Sequence, residues 1–159
     1  MSEVATVALM RHGGSHLIRP IVANMGFDII EPGNFGALLN KSVGPVIVFL
    51  RDPRDRMVST MRWWRNKPRK LEILNAFGFT DDDHLLYLLK NEGLLEEMTF
   101  WAEIWCNWPN SLVVRFERLC QEGISDPEMF KISKHLGLSV DIERDRDIYN
   151  QVFAKGRTY

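Results

Sequence analysis

Short apolar runs alternate with helical patterns along the chain, and this alternation constrains the fold more than any other feature. The runs are Val4–Met10, Phe27–Ile30, Val46–Leu50 and Ser111–Arg115. They are rich in β-branched residues and bounded by turn or helix-start signals, which is typical of buried strands. Strands that alternate with helices predict an α/β fold, a three-layer sandwich whose central parallel sheet of about four strands is covered on both faces.

Composition sets the class of protein. The 159 residues, 45% hydrophobic and 26% charged, predict one folded domain over residues 1–159. A formal charge of -1 argues against a surface built for nucleic acid. Cys106 and Cys120 lack metal-ligand spacing, which indicates reduced thiols and no metal site. Without an apolar run of about 20 residues or a leader pattern, we expect a soluble, cytoplasmic protein.

The first strand runs into two glycines, which suits an anion. Gly13 and Gly14 let backbone N–H groups converge, and the helix predicted from Ser15 adds a positive dipole. Donor side chains flank them at Arg11, His12, Ser15 and His16. The spacing is neither that of a Walker A loop nor that of a dinucleotide fingerprint. A plain turn is the alternative interpretation.

A second candidate site follows the third strand. Arg51 ends this strand, at the edge where open α/β sheets bind ligands, and its planar fork suits a phosphate. Asp52 and Pro53 are a typical N-cap and first helical residue. Ser59 follows Arg51 by eight positions. An ion pair to Asp55 is the alternative role for Arg51, and a mid-helix serine without function is that for Ser59. In this helix the pattern predicts that the apolar residues Met57, Val58 and Met61 face the core.

These residues resemble the motifs of sulfotransferases. The loop at 11–16 is similar to the phosphosulfate-binding loop, particularly its Arg-Lys-Gly-Gly-Thr-Arg form in the heparan sulfate enzymes. LRDPRDRMVS at 50–59 looks like the family's second motif. The later matches, in the family's order, are VVRFERL at 113–119 with RYEDL, ISKHLGL at 132–138 with a helix ending in FLGL, and FAKG at 153–156 with the C-terminal Phe-Arg-Lys-Gly element.

The resemblance implies a P-loop-type fold with a helical insert at about 67–108 that covers the acceptor side. It also implies a co-substrate, 3′-phosphoadenosine-5′-phosphosulfate (PAPS), of which 3′-phosphoadenosine-5′-phosphate (PAP) is the product. The implied ligands of the 5′-phosphosulfate are Arg11, Gly13, Gly14, Ser15 and His16, and those of the 3′-phosphate are Arg51, Ser59, Lys155 and Gly156. The implied acceptor is a small molecule or a glycan.

Departures from the family pattern bear on catalysis. His12 stands where the family has a lysine that assists the leaving group, so we expect activity to fall as the pH rises above neutrality. Glu31 is the candidate base, with His84 as the weaker alternative. Ala154 replaces the arginine of the C-terminal element, and the chain ends at Tyr159 before the glycine and aromatic that follow in the family. We therefore expect a shortened reading frame and weaker nucleotide binding.

Two rival functions remain open. LMRHGGS also resembles the start of histidine phosphatases and phosphoglycerate mutases, with His12 as nucleophile, although these enzymes need a second histidine after a late strand. The other rival is a non-catalytic nucleotide-binding module with a Trp-rich partner surface at Leu94–Trp108. Trp63, Trp64 and Trp101 are candidates to line an acceptor site, and core packing is their ordinary alternative.

Overall fold

A parallel sheet lies at the centre of the molecule. The structure, a computed structural model, describes residues 3–9, 15–30, 44–69, 103–121 and 125–156, together with 72, 76, 78, 83, 87 and 100. Within these residues the strands are β1 Glu3–Leu9, β2 Phe27–Ile30, β3 Val46–Leu50 and β4 Ser111–Arg115. The strand order is β2-β1-β3-β4, and every neighbouring pair is parallel. The predicted sheet is confirmed. β1 begins one residue before its pattern predicted, and Met10, the predicted last residue, lies outside the described residues.

The two central strands are buried on both faces, as expected of a parallel sheet between helices. Their alternate side chains enter two separate cores. On one face, Ala5 and Val7 of β1 join Ile47 and Phe49 of β3 in the larger core. On the other face, Ala8, Val46 and Val48 pack against the fully buried Trp105. Core packing, the ordinary expectation for a tryptophan, is therefore confirmed for Trp105.

Helices of the described chain cover the sheet and complete the sandwich. They are α1 Ser15–Asn24, α2 Pro53–Arg65, α3 Phe116–Cys120, α4 Ser125–His135 and α5 Ile142–Gly156. The larger core lies under α1, α3, α4 and α5, with α5 packed against both α1 and α4. No described helix has the length and apolar character needed to cross a membrane. Of the predicted insert at 67–108, residues 103–106 are helical, and most of the rest lies outside the described residues.

A proline inside one helix and a glycine after another illustrate two local effects. α1 begins at Ser15 and continues through Pro20, although proline is unfavourable in a helix interior. α4 ends at His135, and the chain leaves the helix at Gly137. Gly137 has a φ of 77°, and the N–H of Leu138 donates to the carbonyl of Ser133 at 2.9 Å, as in a Schellman motif.

The prediction for the inward face of α2 was wrong for Val58, which is 46% exposed. Met57 and Met61 are half-buried, and among the described side chains of α2 the fully buried ones are Arg56 and Thr60. Burial of these polar residues is possible because their groups are bonded: the Thr60 hydroxyl donates to the Arg56 carbonyl at 2.9 Å, and Arg56 has interactions of its own. Ser59, next to Thr60 in sequence, is half-buried.

Candidate functional site

The candidate site lies at the carboxyl ends of β1 and β3. From β1 the chain continues to β2 on one side, whereas β3 lies on the other side of β1 and pairs with β4. Connections that diverge from two adjacent parallel strands leave a crevice between them, which is where ligands bind in open α/β sheets. Leu9 pairs with Phe49 in register, so β1 and β3 end together at this edge. The two motifs singled out in the sequence follow these two strand ends.

Of the first motif, at residues 11–16, the structure describes the two residues that begin α1. Arg11, His12, Gly13 and Gly14 lie outside the described residues, as does Glu31. Ser15 and His16 open α1, with Ser15 half-buried and His16 exposed. The first turn of α1 carries no acidic side chain, so nothing in it opposes an anion at the positive end of the helix dipole.

Arg51 is the most informative residue of the second motif. It is half-buried, and its guanidinium carbon lies 4.6 Å from the centroid of the Phe116 ring. Its Nε atom is buried and has no hydrogen-bond partner in the part of the chain that the structure describes. The alternative role, an ion pair with Asp55, is not seen among the described ion pairs. Because buried donors are almost always satisfied, this N–H group is available to a partner that the described residues do not supply.

The turn after Arg51 is fixed by the N-cap of α2. Asp52 accepts a hydrogen bond from the backbone N–H of Arg54 at 2.8 Å, so the predicted cap is confirmed. The Arg54 side chain also bonds this carboxylate, and these bonds lower the pKa of Asp52 to about 2. On the other side, the backbone N–H of Asp52 donates to Oε1 of Glu117 at 2.6 Å.

The remaining candidates occupy α2 and α5. Ser59 lies on α2, six residues after Pro53, or about 9 Å along the helix axis. Lys155 and Gly156 are the last two residues of α5, the helix that packs against α1. Arg51 thus lies at the turn before α2 and Ser59 within that helix, whereas Lys155 and Gly156 lie at the end of a helix that packs against α1.

Phe116 and Glu117 contact the site but received no role from the sequence. Both follow β4, which pairs with β3 so that Leu50 lies opposite Arg115. A signal was available: in a parallel sheet the residues after two neighbouring strands meet at one edge. It was not usable without the strand order, because Glu117 and Asp52 are 65 residues apart in the chain.

Cys120 lies close to the same groups. Burial raises the pKa of its thiol to about 11, while Arg51 acts to lower that pKa and Glu117 acts to raise it. Both charges are therefore within electrostatic reach of this sulfur. The high pKa keeps the thiol protonated at neutral pH, so Cys120 is a packing residue rather than a nucleophile.

Comparison with solved structures identifies the fold. The chain superposes on the crystal structure of mouse sulfotransferase SULT7A1 complexed with PAP, with a TM-score of 0.66 and 16% sequence identity. The match covers 99% of this chain and 66% of that one. The fold matches that of a sulfotransferase. No protein-family model and no curated protein matches the sequence. The sulfotransferase-like fold thus agrees with the P-loop-type sandwich that the motifs implied.

Proposed function

We propose that the protein is a sulfotransferase that moves a sulfuryl group from PAPS to a hydroxyl or amine acceptor. The observation that carries the proposal is Arg51, which holds a buried Nε–H group without a partner in the described chain. It lies at the carboxyl edge of the sheet, where the topology opens a crevice. The sulfotransferase-like fold, seen with PAP in the mouse enzyme, supports the same assignment.

The described residues fit a nucleotide that carries phosphate at two positions. Arg51 offers an unsatisfied N–H group, and Ser59 offers a hydroxyl on the helix that follows. Ser15 and His16 offer donors at the start of α1, where no carboxylate competes. In the proposal, Arg51 and Ser59 bind the 3′-phosphate with help from Lys155 and Gly156. Ser15 and His16 bind the 5′-phosphosulfate with Arg11, Gly13 and Gly14.

Catalysis is assigned to residues outside the described part of the chain. PAPS supplies an activated sulfuryl group when bound. Transfer of such a group depends mainly on positioning and on stabilisation of developing negative charge. Protonated His12 would stabilise charge on the leaving side, and Glu31 would take the proton of the acceptor. Both roles remain proposals from the family resemblance.

The acceptor side is proposed to include Trp63. This residue follows Ser59 by four positions on α2, so both lie along one helix face. It is 42% exposed, and the Lys67 ammonium lies 5.4 Å from its ring centroid. An exposed aromatic ring suits contact with an acceptor that contains a phenol or a sugar ring.

The histidine phosphatase alternative finds no support in the described residues. It requires a second histidine at the carboxyl edge, after a late strand. His135 instead lies in α4, with Nε2 at 3.0 Å from the carbonyl oxygen of Val46. Val46 is the first residue of β3, so His135 contacts the opposite edge of the sheet. His84, the remaining late histidine, lies outside the described residues.

Calorimetric titration with PAP tests the proposal. Wild-type protein should bind PAP, and Arg51→Ala should weaken binding by at least roughly tenfold, because a charge-assisted contact contributes about 1.5 kcal/mol or more. Arg69→Ala is the matched control, since it removes an exposed arginine beyond the end of α2. An absence of binding at millimolar PAP would contradict the proposal.

A turnover assay then separates an enzyme from a binding module. Release of PAP from PAPS that depends on a phenolic, sugar or amine acceptor, with an equal amount of sulfated acceptor formed, would establish transferase activity. Tight PAP binding without turnover across these acceptor classes would favour the non-catalytic module instead.

A further inference from the structure

Two consecutive residues at the start of α3, directly after β4, contact the turn that follows β3. The Phe116 ring lies against the Arg51 guanidinium, 4.6 Å from its central carbon. The next residue, Glu117, accepts the backbone N–H of Asp52 at 2.6 Å. A carboxylate is a charged acceptor, so this bond is stronger than one between neutral groups. One contact is with the Arg51 guanidinium, and the other is with the peptide group that follows Arg51.

The N–H group that Glu117 holds belongs to the peptide between Arg51 and Asp52. On the other side of Arg51, the chain is fixed in the sheet, where Leu50 pairs with Arg115. The backbone of Arg51 is therefore held before and after its Cα atom, and the guanidinium is supported by the ring. Such restraint lowers the entropy that the long side chain loses when it binds an anion.

This contact differs from an ordinary helix start. In a capping box, the side chain three residues after the N-cap returns to bond the N-cap N–H group. Asp55 occupies that position in α2, yet the N–H of Asp52 bonds Glu117, a residue of another element. A bond from Asp55 would satisfy this N–H group within α2 alone. The bond from Glu117 instead ties the Arg51 turn to the start of α3, which also supplies Phe116.

We propose that Glu117 is a positioning residue, which together with Phe116 holds Arg51 in the geometry that binds the 3′-phosphate. This role rests on the proposed function, because it assumes that Arg51 is a nucleotide ligand. Glu117 itself need not touch the nucleotide. Its contribution should therefore be specific to ligands that carry a 3′-phosphate and should depend on the presence of Arg51.

Calorimetry with PAP and with adenosine 5′-monophosphate, which lacks the 3′-phosphate, tests this role. Glu117→Ala should weaken PAP binding by roughly tenfold and leave the monophosphate unaffected. Glu117→Gln keeps an acceptor oxygen at the same reach and should stay within about threefold of wild type for PAP. Glu117→Asp keeps the charge but withdraws it by one methylene group, so it should weaken PAP binding even if Glu117→Ala does not fold. Glu143→Ala, an exposed glutamate in the first turn of α5, is the control for loss of one negative charge.

A double-mutant cycle supplies the decisive comparison. In an Arg51→Ala background, Glu117→Ala should add less than about a twofold loss, because the residue it positions is gone. Equal weakening of PAP and the monophosphate, or a full further loss without Arg51, would overturn the positioning role. Amide exchange at Asp52, measured without nucleotide, tests the contact separately. Protection should be lost in Glu117→Ala and kept in Glu117→Gln.

The two proposals can fail independently. If wild-type protein binds neither nucleotide while Asp52 protection follows the Glu117 variants as expected, the proposed function is wrong and the contact stands. If PAP binds and weakens in Arg51→Ala, but Asp52 protection is unchanged in Glu117→Ala, the positioning role is wrong and the nucleotide site stands.

Discussion

At the turn between β3 and α2, Asp52 serves both as a helix cap and as an ion-pair partner. Its Oδ1 accepts the backbone N–H of Arg54 at 2.8 Å, and its Oδ2 lies 2.7 Å from the guanidinium of the same residue. The Arg54 side chain is 88% exposed, so solvent screens the pair and its net contribution to stability is small. The effect of Arg54 on the pKa of Asp52 is easier to measure than its effect on stability.

We expect Arg54→Gln to raise the pKa of Asp52 from about 2 toward its ordinary value of 3.8, because the Arg54 side chain is the main cause of the shift. A folded-state pKa below the unfolded value stabilises the fold above about pH 4, and this contribution is lost as the pH falls toward 2. In the variant, this dependence of the unfolding free energy on pH should shrink. Carbon-detected NMR titration of the Asp52 carboxyl measures the pKa directly. An unchanged value in Arg54→Gln, as expected in the control Arg69→Gln, would show that the backbone N–H groups cause the shift.

Local patterns were sufficient for the strands but not for the faces of α2. The bounds of β2, β3 and β4 were predicted correctly because buried strands are short apolar runs between turn signals. In α2, hydrophobicity selected Met57, Val58 and Met61 for the core. Val58 is exposed, and the polar residues Arg56 and Thr60 are buried more deeply than the two methionines. Their burial depends on hydrogen bonds formed in the folded chain. The contact between Glu117 and Asp52 was also beyond the sequence, since it requires β4 to lie beside β3.

The close approach of two chain segments explains why a glycine, Gly44, precedes β3. Gly44 has a φ of +82°, and a Cβ atom there would lie 2.0 Å from the carbonyl oxygen of Val4 in β1. The next residue, Pro45, accepts the N–H of Thr6 at 3.0 Å, so the chain approaches β1 closely at this point. A side chain at residue 44 would collide with backbone, which cannot move aside as a flexible side chain can.

We expect Gly44→Ala to destabilise the fold by clearly more than Gly137→Ala. Both residues have positive φ, which costs an alanine roughly 1–2 kcal/mol. Gly137 has no atom within 4 Å of an added Cβ, so its substitution measures the conformational cost alone. Urea unfolding of the two variants gives the difference due to the contact with Val4. Equal free energies of unfolding would mean that the entry to β3 can shift without cost.

On the scale of the whole molecule, the proposed site joins parts of the chain that are distant in sequence. The first loop and α1 come from the beginning of the chain, Arg51 and Ser59 from its first half, and Lys155 and Gly156 from its end. Ser15, Arg51 and Ser59 lie on the chain segments that follow the central strands β1 and β3. A nucleotide held by all of these segments would bind the native state and not the unfolded chain. Its affinity should therefore appear as added global stability.

We expect PAP at about 100 times its dissociation constant to add about 2.7 kcal/mol to the free energy of unfolding. For a chain of this length, that corresponds to a rise in Tm of roughly 5–10 °C. At the same PAP concentration, an Arg51→Ala variant with tenfold weaker binding should gain only about half as much, because the stabilisation follows the logarithm of ligand concentration over Kd. Thermal unfolding with and without PAP measures both shifts, and Arg69→Ala should behave as wild type. If Arg51→Ala showed the full wild-type shift, PAP would bind without Arg51. The nucleotide site would then not be the crevice between β1 and β3 that the sheet topology indicates.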